Sequence, residues 1–322
     1  MAKKKSKKLK AIPLAPPPMK SRKRARVVTT LFHKYTRERD EALHAGDSDK
    51  VKELEQKIDD MGGRQEYQRA SQLNTSIFST SKWVMSVLHK LNLLPRGISL
   101  HGQQPTTNPP IKNESTSKDN GVNFRPIKLL EVGAINTQLL DAADNPKLNL
   151  EVKAIDLQSS HEERIEEKDF FLLPLLDGSD VHKRYDVIVC SMVINCVTTP
   201  EDRGKMLFLL KRHLRPGGIC FLTLPLLCLM QSQYMSKGYF NRLLTEAAGF
   251  QLLANKETPK IAFYVLSRSL TDHVDNSFED CLQTINNQWK HVPTLNRGKK
   301  YRNKFAVVFA TKQTNPKSDN GA

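Results

Sequence analysis

The chain has 322 residues, of which 39% are hydrophobic and 26% charged, with a formal net charge of +16; this composition builds a domain-sized core and excludes fully disordered, collagen-like, coiled-coil and mini-protein classes. Its longest apolar run, residues 219–230, is interrupted by Thr223 and Pro225 and is shorter than the roughly 18 to 20 residues of a membrane span, while the N-terminal lysines have no apolar segment behind them to make a secretory signal. The five cysteines, Cys190, Cys196, Cys220, Cys228 and Cys281, are odd in number and include no C-x-x-C pair, so five free thiols are expected rather than a disulfide framework or a zinc knuckle.

In chain order, charge comes first. Residues 1–35 carry nine Lys and three Arg with no acid, residues 285–322 carry eight Lys or Arg against Asp319, and the body between them nets −3. The arm at 1–34 is broken by Pro13 and by Pro16, Pro17 and Pro18 and has no aromatic residue before Phe32. It is expected to be disordered in isolation and to bind polyanions by counterion release, the alternative being a merely solvated tail. Its Arg22-Lys23-Arg24-Ala25-Arg26 run also fits a nuclear import signal. A charged helical extension is expected over 35–100, broken at 46–48, where Gly46, Asp47 and Ser48 combine a helix stop with a new cap. Val51, Leu54, Ile58 and Met61 form a narrow apolar stripe that Gly62-Gly63 ends, and two further helices are expected near 65–73 and 81–94. The Pro- and Asn-rich segment 101–121 reads as a linker loop.

From 122 onward, short apolar runs alternate with helical segments. The runs at 128–132, Leu150–Asp156, Tyr185–Ser191 and 218–224 are rich in apolar and β-branched residues with little alternation, as buried parallel strands are. The clearest helix spans 200–213, with Thr199 and Asp202 placed as a capping box and Lys211, Arg212 and His213 at its negative end. A last strand is expected over 305–310. The whole pattern predicts an α/β doubly wound parallel sheet over 122–312, followed by a disordered tail at 313–322.

Such sheets bind ligands beyond the carboxyl ends of their strands, where the strand order reverses. The first run ends in Glu131-Val132-Gly133-Ala134-Ile135-Asn136, and the second ends in Asp156, twenty residues after Asn136. A glycine that lets the backbone approach a ligand, followed at that interval by a carboxylate able to reach two ribose hydroxyls, describes a nucleoside-binding turn. Alone, Gly133 fits an ordinary tight turn and Asp156 a helix cap; in register they point to a site. Asp186 in the next run, and Leu214-Arg215-Pro216-Gly217-Gly218 before the last, complete the series. The histidines lack metal-ligand spacing, so no metal is expected.

Across about residues 127–266 this order of motifs resembles the class I S-adenosylmethionine-dependent methyltransferases. A narrower set resembles the fungal family that methylates N1 of an adenine in 25S rRNA: Met61-Gly-Gly-Arg-Gln-Glu-Tyr-Gln-Arg-Ala-Ser71, Lys82-Trp83, Leu130-Glu-Val-Gly133, Ala154-Ile-Asp-Leu157, Asp169-Phe-Phe-Leu, Ser191-Met-Val-Ile-Asn195 and Glu201-Asp-Arg-Gly204. The resemblance implies a Rossmann-like class I methyltransferase sheet with an N-terminal helical extension and S-adenosyl-L-methionine as cofactor. Gly133 would lie against the methionine part of the cofactor and Asp156 would bind its ribose, with Glu131 and Ser191 also in the cofactor site. It further implies rRNA or a pre-ribosomal particle as partner, no membrane, a monomer, and a nuclear and nucleolar location. One departure is that a single Gly133 stands where the superfamily's first loop is glycine-rich.

Asn195 is expected to read the adenine edge, its alternative being a turn or cap residue. Tyr234, Tyr239 and Phe240 are expected either to stack on the base or to lie in the core. Cys190 and Cys228 are expected to be core thiols. The Ser191-to-Asn195 stretch lacks the Asn-Pro-Pro-aromatic tetrad of enzymes that methylate exocyclic amines. Metazoan relatives of the family are S-adenosylmethionine sensors, so a non-catalytic sensor with a protein partner, or an RNA-binding assembly factor, are the competing expectations.

Overall fold

The computed structural model describes residues 21–75, 80–94, 125–159, 163–272 and 276–311. Residues 1–20 of the basic arm, the linker 101–121 and the tail 313–322 lie outside the described residues. The chain divides into two compact units, Met1–Phe78 and Ser79–Ala322.

In the first unit, α1 (Arg22–Ala45), α2 (Ser48–Asp60) and α3 (Gly63–Thr75) pack on one another. Gly46, left-handed at φ 75°, ends α1, and the Asp47 carboxylate accepts the Lys50 N–H to start α2, as the break at 46–48 predicts. The expectation of disorder over 1–34 is corrected from Arg22 onward. Ala25, Val28 and Phe32 recur at helical spacing and are buried, Ala25 and Val28 against Ala70, while Phe32 stacks on Tyr67 with ring centroids 4.4 Å apart. The apolar seam thus persists beneath the basic residues, and the Ser21 hydroxyl caps it by accepting the Arg24 N–H.

The second unit opens with α4 (Thr80–Lys90). Expected within the helical extension that ran to residue 100, α4 instead belongs to the sheet domain. Val84, Met85 and Leu88 pack on Leu129, Val187, Val189 and Phe221, and Trp83 meets Phe221 and Phe263 edge-on. Its apolar stripe has no place in a free-standing extension.

The sheet is β1 (Ile127–Val132), β2 (Leu150–Asp156), β3 (Glu166–Glu167), β4 (Tyr185–Ser191), β5 (Leu214–Pro225), β6 (Gln251–Glu257) and β7 (Ile261–Ser267). Its order is β3-β2-β1-β4-β5-β7-β6, parallel from β3 through β5, with β7 antiparallel to both of its neighbours. Helices α5 (Gln138–Ala143), α6 (Pro200–His213), α7 (Leu227–Met230), α8 (Lys237–Arg242) and α9 (Phe278–Thr284) complete the unit. This is the Rossmann-like α/β sheet the sequence predicts, with its order reversing between β1 and β4. No helix among the described residues is long and apolar enough to cross a membrane.

The predicted strand at 305–310 is not part of the sheet. Residues 305–309 are fully buried, but they run over α6: the Val308 N–H donates to the Pro200 carbonyl at 3.1 Å and the Phe309 N–H to the Trp289 carbonyl at 2.7 Å. The far edge of the sheet is instead the β6–β7 hairpin. A short buried apolar run looks the same in sequence whether a sheet or a helix covers it.

Candidate active site

The site forms where β1 and β4 part. Val132 pairs with Ile155 on one side and Cys190 on the other, so Gly133 and Asp156 follow directly on neighbouring strands. The two tips that the sequence places in register are adjacent in space. Gly133 has φ +74°, and a Cβ there would stand 2.4 Å from Val193 Cγ2. Glycine is therefore required twice, by backbone conformation and by the close approach of the loop after β4. The Gly133 and Ala134 N–H groups both donate to the Ile155 carbonyl, at 2.8 and 3.0 Å. This tight closure onto β2 explains how a turn with one glycine keeps its shape.

Asp156 is buried, and its Oδ1 accepts the Gln158 N–H at 2.9 Å, so it orders the turn after β2. The Lys168 N–H donates to the Asp156 carbonyl at 2.8 Å, bringing the end of β3 alongside. Asp169, to which the sequence reading assigned no role, follows there and caps the next turn by accepting the Phe171 N–H at 2.9 Å.

Glu131 is buried one residue before the tip of β1, its Oε2 has no hydrogen-bond partner among the described residues, and burial pushes its carboxyl up to about 8. An orphaned carboxyl oxygen beside the point where the strand order reverses is costly for a structural residue and suits a ligand bearing donors or positive charge. Glu131 pairs with Val189, so Ser191, two residues on, shares its sheet face. The Ser191 hydroxyl lies 2.9 Å from both Thr80 Oγ1 and Thr223 Oγ1. It is held in a chain of hydroxyls linking β4, β5 and the start of α4. Ser191 is therefore at the expected rim, with its hydroxyl already engaged.

Past Ser191 the chain makes a strained turn. Met192 has φ +61°, unusual for a side chain of that size, and its N–H donates to the Thr223 carbonyl at 3.0 Å. The turn carries Val193 over Gly133 and leads to Asn195, whose Nδ2 makes a 3.4 Å contact with Cys196 Sγ and whose buried Oδ1 has no partner among the described residues. An unpaired buried amide oxygen beside the switch point can accept a hydrogen bond from a bound base.

The stacking expectations divide. Phe240 is fully buried against Tyr264 and Phe305 and is core. Tyr239 packs on Trp289 at 5.0 Å and donates to the Gln288 carbonyl. Only Tyr234, half-buried in the loop between α7 and α8, keeps a ring without an aromatic neighbour among the described residues. Cys190 and Cys228 are buried with thiols pushed up to about 12, consistent with core packing.

Asp186 has a structural role at the opposite end of the sheet, where its carboxylate takes Arg125 at 2.9 and 2.6 Å, the Lys128 N–H at 2.9 Å and Arg215. Arg203 escaped the sequence reading as a functional residue. Buried, it donates to the Val197, Thr198 and Ala306 carbonyls at 2.9, 3.2 and 2.8 Å and pins the loop that follows Asn195. Beside it Gly204 lets the Val308 carbonyl approach to where a Cβ would be only 1.9 Å away. The Glu-Asp-Arg-Gly motif is thus explained by packing of the rim.

The model of one protein family, 25S rRNA (adenine(2142)-N(1))-methyltransferase, Bmt2, matches residues 52–307. The 25S rRNA (adenine(2142)-N(1))-methyltransferase of Saccharomyces cerevisiae is 28% identical over 149 residues, which are 46% of this chain and 42% of that protein. The aligned part thus spans less than half of that relative's length. Among solved structures, the [4+2]-cyclase SpnF is similar at a TM-score of 0.37 and 14% identity, covering 46% of this chain and 77% of that one. The Burkholderia thailandensis 1,6-didemethyltoxoflavin-N1-methyltransferase, solved with S-adenosylhomocysteine, is similar at 0.33 and 17%, covering 45% and 72%. A 16S rRNA (adenine(1408)-N(1))-methyltransferase from Catenulisporales acidiphilia is similar at 0.31 and 11%, covering 45% and 86%.

Proposed function

Because the chain belongs to the 25S rRNA (adenine(2142)-N(1))-methyltransferase family, we propose that it methylates N1 of an adenine in large-subunit rRNA, with S-adenosyl-L-methionine as methyl donor, during ribosome assembly in the nucleolus. The observation that carries this reading is the register of β1 with β2, which sets Gly133 and Asp156 side by side, with Glu131, whose Oε2 has no partner among the described residues, two positions before Gly133.

The residues present fit the cofactor. Gly133 offers a backbone without a side chain, Asp156 a carboxylate for ribose hydroxyls, and Glu131 an acceptor for the ammonium end. When bound, the cofactor supplies a methyl group already activated by a sulfonium. The task left to the chain is alignment, worth up to about 7 to 11 kcal/mol when the geometry is good. No side chain has to remove a proton, because adenine N1 attacks through its lone pair and the product base retains the positive charge. The chain matches this demand: Cys190 and Cys228 are core thiols that stay protonated, and burial raises the Glu131 carboxyl to about 8.

Asn195 Oδ1 accepts a hydrogen bond from the base and holds N1 toward the methyl group, and Tyr234 is the aromatic residue left to steady an extruded adenine. The basic arm, whose Arg22-Lys23-Arg24-Ala25-Arg26 run fits a nuclear import signal, adds sequence-independent RNA affinity. The test is a methyl-transfer assay on naked and pre-ribosomal rRNA with Asp156→Ala in parallel. The reading expects transfer by the parent chain and loss of cofactor affinity in the variant. Tight cofactor binding without transfer to either RNA would leave the sensor reading.

A further inference from the structure

Residues 296–304 form a loop whose charge the methyl-transfer chemistry does not use. From 281 to 311 the sequence contains no Asp or Glu, yet Arg297, Lys299, Lys300, Arg302 and Lys304 crowd into eight positions, all exposed. None of these five pairs with a carboxylate among the described residues. The loop is nonetheless ordered by its backbone. The Leu295 and Asn296 N–H groups donate to the Gln233 carbonyl at 2.9 and 3.0 Å; the Gln233 N–H returns to the Asn303 carbonyl at 3.0 Å, and the Asn303 N–H donates to the Gln231 carbonyl at 3.0 Å. Asn296 Nδ2 adds the Ser232 carbonyl at 2.9 Å, and the Ser232 hydroxyl donates to the Phe305 carbonyl at 2.6 Å. At the tip, Gly298 takes φ +104° and the Tyr301 N–H closes a turn onto its carbonyl.

The stitching sets the loop against two rim segments. One is the loop between α7 and α8 that bears Tyr234. The other is the loop after β4 that bears Asn195, reached through Arg203, which grips the Val197 and Thr198 carbonyls on one side and Ala306 on the other. Arg302 Nε donates to the Lys299 carbonyl at 3.0 Å and Lys300 Nζ lies over the Tyr301 ring at 5.8 Å, but like charges held on a fixed backbone repel one another, and among the described residues no carboxylate offsets them. A polyanion passing the cleft mouth would. Exposed Leu227, Met230 and Leu295 nearby offer apolar surface to unstacked bases.

We propose that residues 296–304 are an RNA phosphate clamp that holds the strand flanking the target adenine across the mouth of the cleft. This rests on the methyltransferase reading for its substrate but is judged by binding. The experiment replaces Arg297, Lys299, Lys300 and Lys304 together with Ala in the full chain. Affinity for a transcribed large-subunit rRNA fragment is then titrated between roughly 50 and 200 mM salt. The expected result is roughly a 10-fold or greater loss of affinity, with a salt slope shallower by about 3 to 4, since each of the four lost phosphate contacts removes about 0.7 to 0.9. S-adenosylmethionine affinity stays unchanged and, where transfer is measurable, KM for RNA rises more than kcat falls.

The charge-keeping set Arg297→Lys, Lys299→Arg, Lys300→Arg and Lys304→Arg restores the slope. If the quadruple variant also loses cofactor binding, the single changes Lys299→Ala and Lys300→Ala carry the test, each lowering the slope by about 0.7 to 0.9. An unchanged slope and affinity overturns the clamp even if the enzyme methylates RNA. A reduced slope in a chain that never transfers methyl keeps the clamp and removes the methyltransferase reading.

Discussion

Gly133 meets two independent constraints, a left-handed backbone and the Val193 methyl 2.4 Å from any Cβ. Gly133→Ala is expected to cost about 1 to 2 kcal/mol from the backbone alone, seen as a lower melting temperature, and to weaken cofactor binding because the loops after β1 and β4 are forced apart. Asn195→Ala is expected to leave cofactor affinity intact and lower kcat on RNA by about 10- to 100-fold, the range of a lost hydrogen bond to a base; equal rates would show that its unpaired oxygen serves only the turn. Glu131 gives a pH signature. Burial raises its carboxyl from 4.5 to about 8, so the unfolded chain loses the proton before the folded one does. Its contribution favours the fold below the ordinary carboxylate range and is lost as pH rises toward about 8. Denaturant titrations of the cofactor-free protein from acid to pH 9 are expected to show wild type losing stability over that window relative to Glu131→Gln. Parallel curves for the two proteins would place the carboxyl in contact with water.

Helix α6 shows how elements position the site. Thr199 Oγ1 accepts the Asp202 N–H at 3.1 Å and donates to the Asp202 carboxylate at 2.7 Å, so Thr199 caps the helix as expected, with its hydroxyl in place of its backbone N–H meeting the Asp202 carboxylate. On α6, Gly204 seats residues 305–309 and Arg203 ties them to the loop after β4. Gly204→Ala pushes a methyl into the Val308 carbonyl and is expected to destabilise the domain by about 1 to 3 kcal/mol or more, read as a lower denaturant midpoint. The boundaries of β2, β4 and α6 were legible because apolar runs, a proline at the start and cap residues are local signals. β6 was not, since its exposed Gln251, Asn255, Lys256 and Glu257 give it no apolar face to recognise. The apolar run at 305–310 has the pattern of a strand because its covering partner, α6, lies a hundred residues earlier. Gly133 and Asp156 were legible by spacing. The strain at Met192, the Thr80 hydroxyl beside Ser191 and the three carbonyls on Arg203 depend on contacts between distant segments, which one sequence does not display.

At the scale of the whole molecule, a nearly neutral body carries cationic segments at both ends of the chain. The helix α1 beginning at Arg22 divides the N-terminal charge into a capped, packed part and the seven lysines of residues 1–20. Deleting 1–20 spares the Ser21 cap and is expected to weaken RNA binding and flatten its salt dependence without moving the melting temperature; an unchanged slope would confine RNA contact to the rest of the chain. The central claim concerns chemistry at the tips of β1, β2 and β4, and the most direct measurement is to identify the modified atom. Large-subunit rRNA incubated with the full chain and labelled S-adenosylmethionine, then digested to nucleosides, should yield labelled 1-methyladenosine, and Asp156→Ala should abolish it. Label on N6, label on another base, or bound cofactor with no labelled nucleoside would contradict the account.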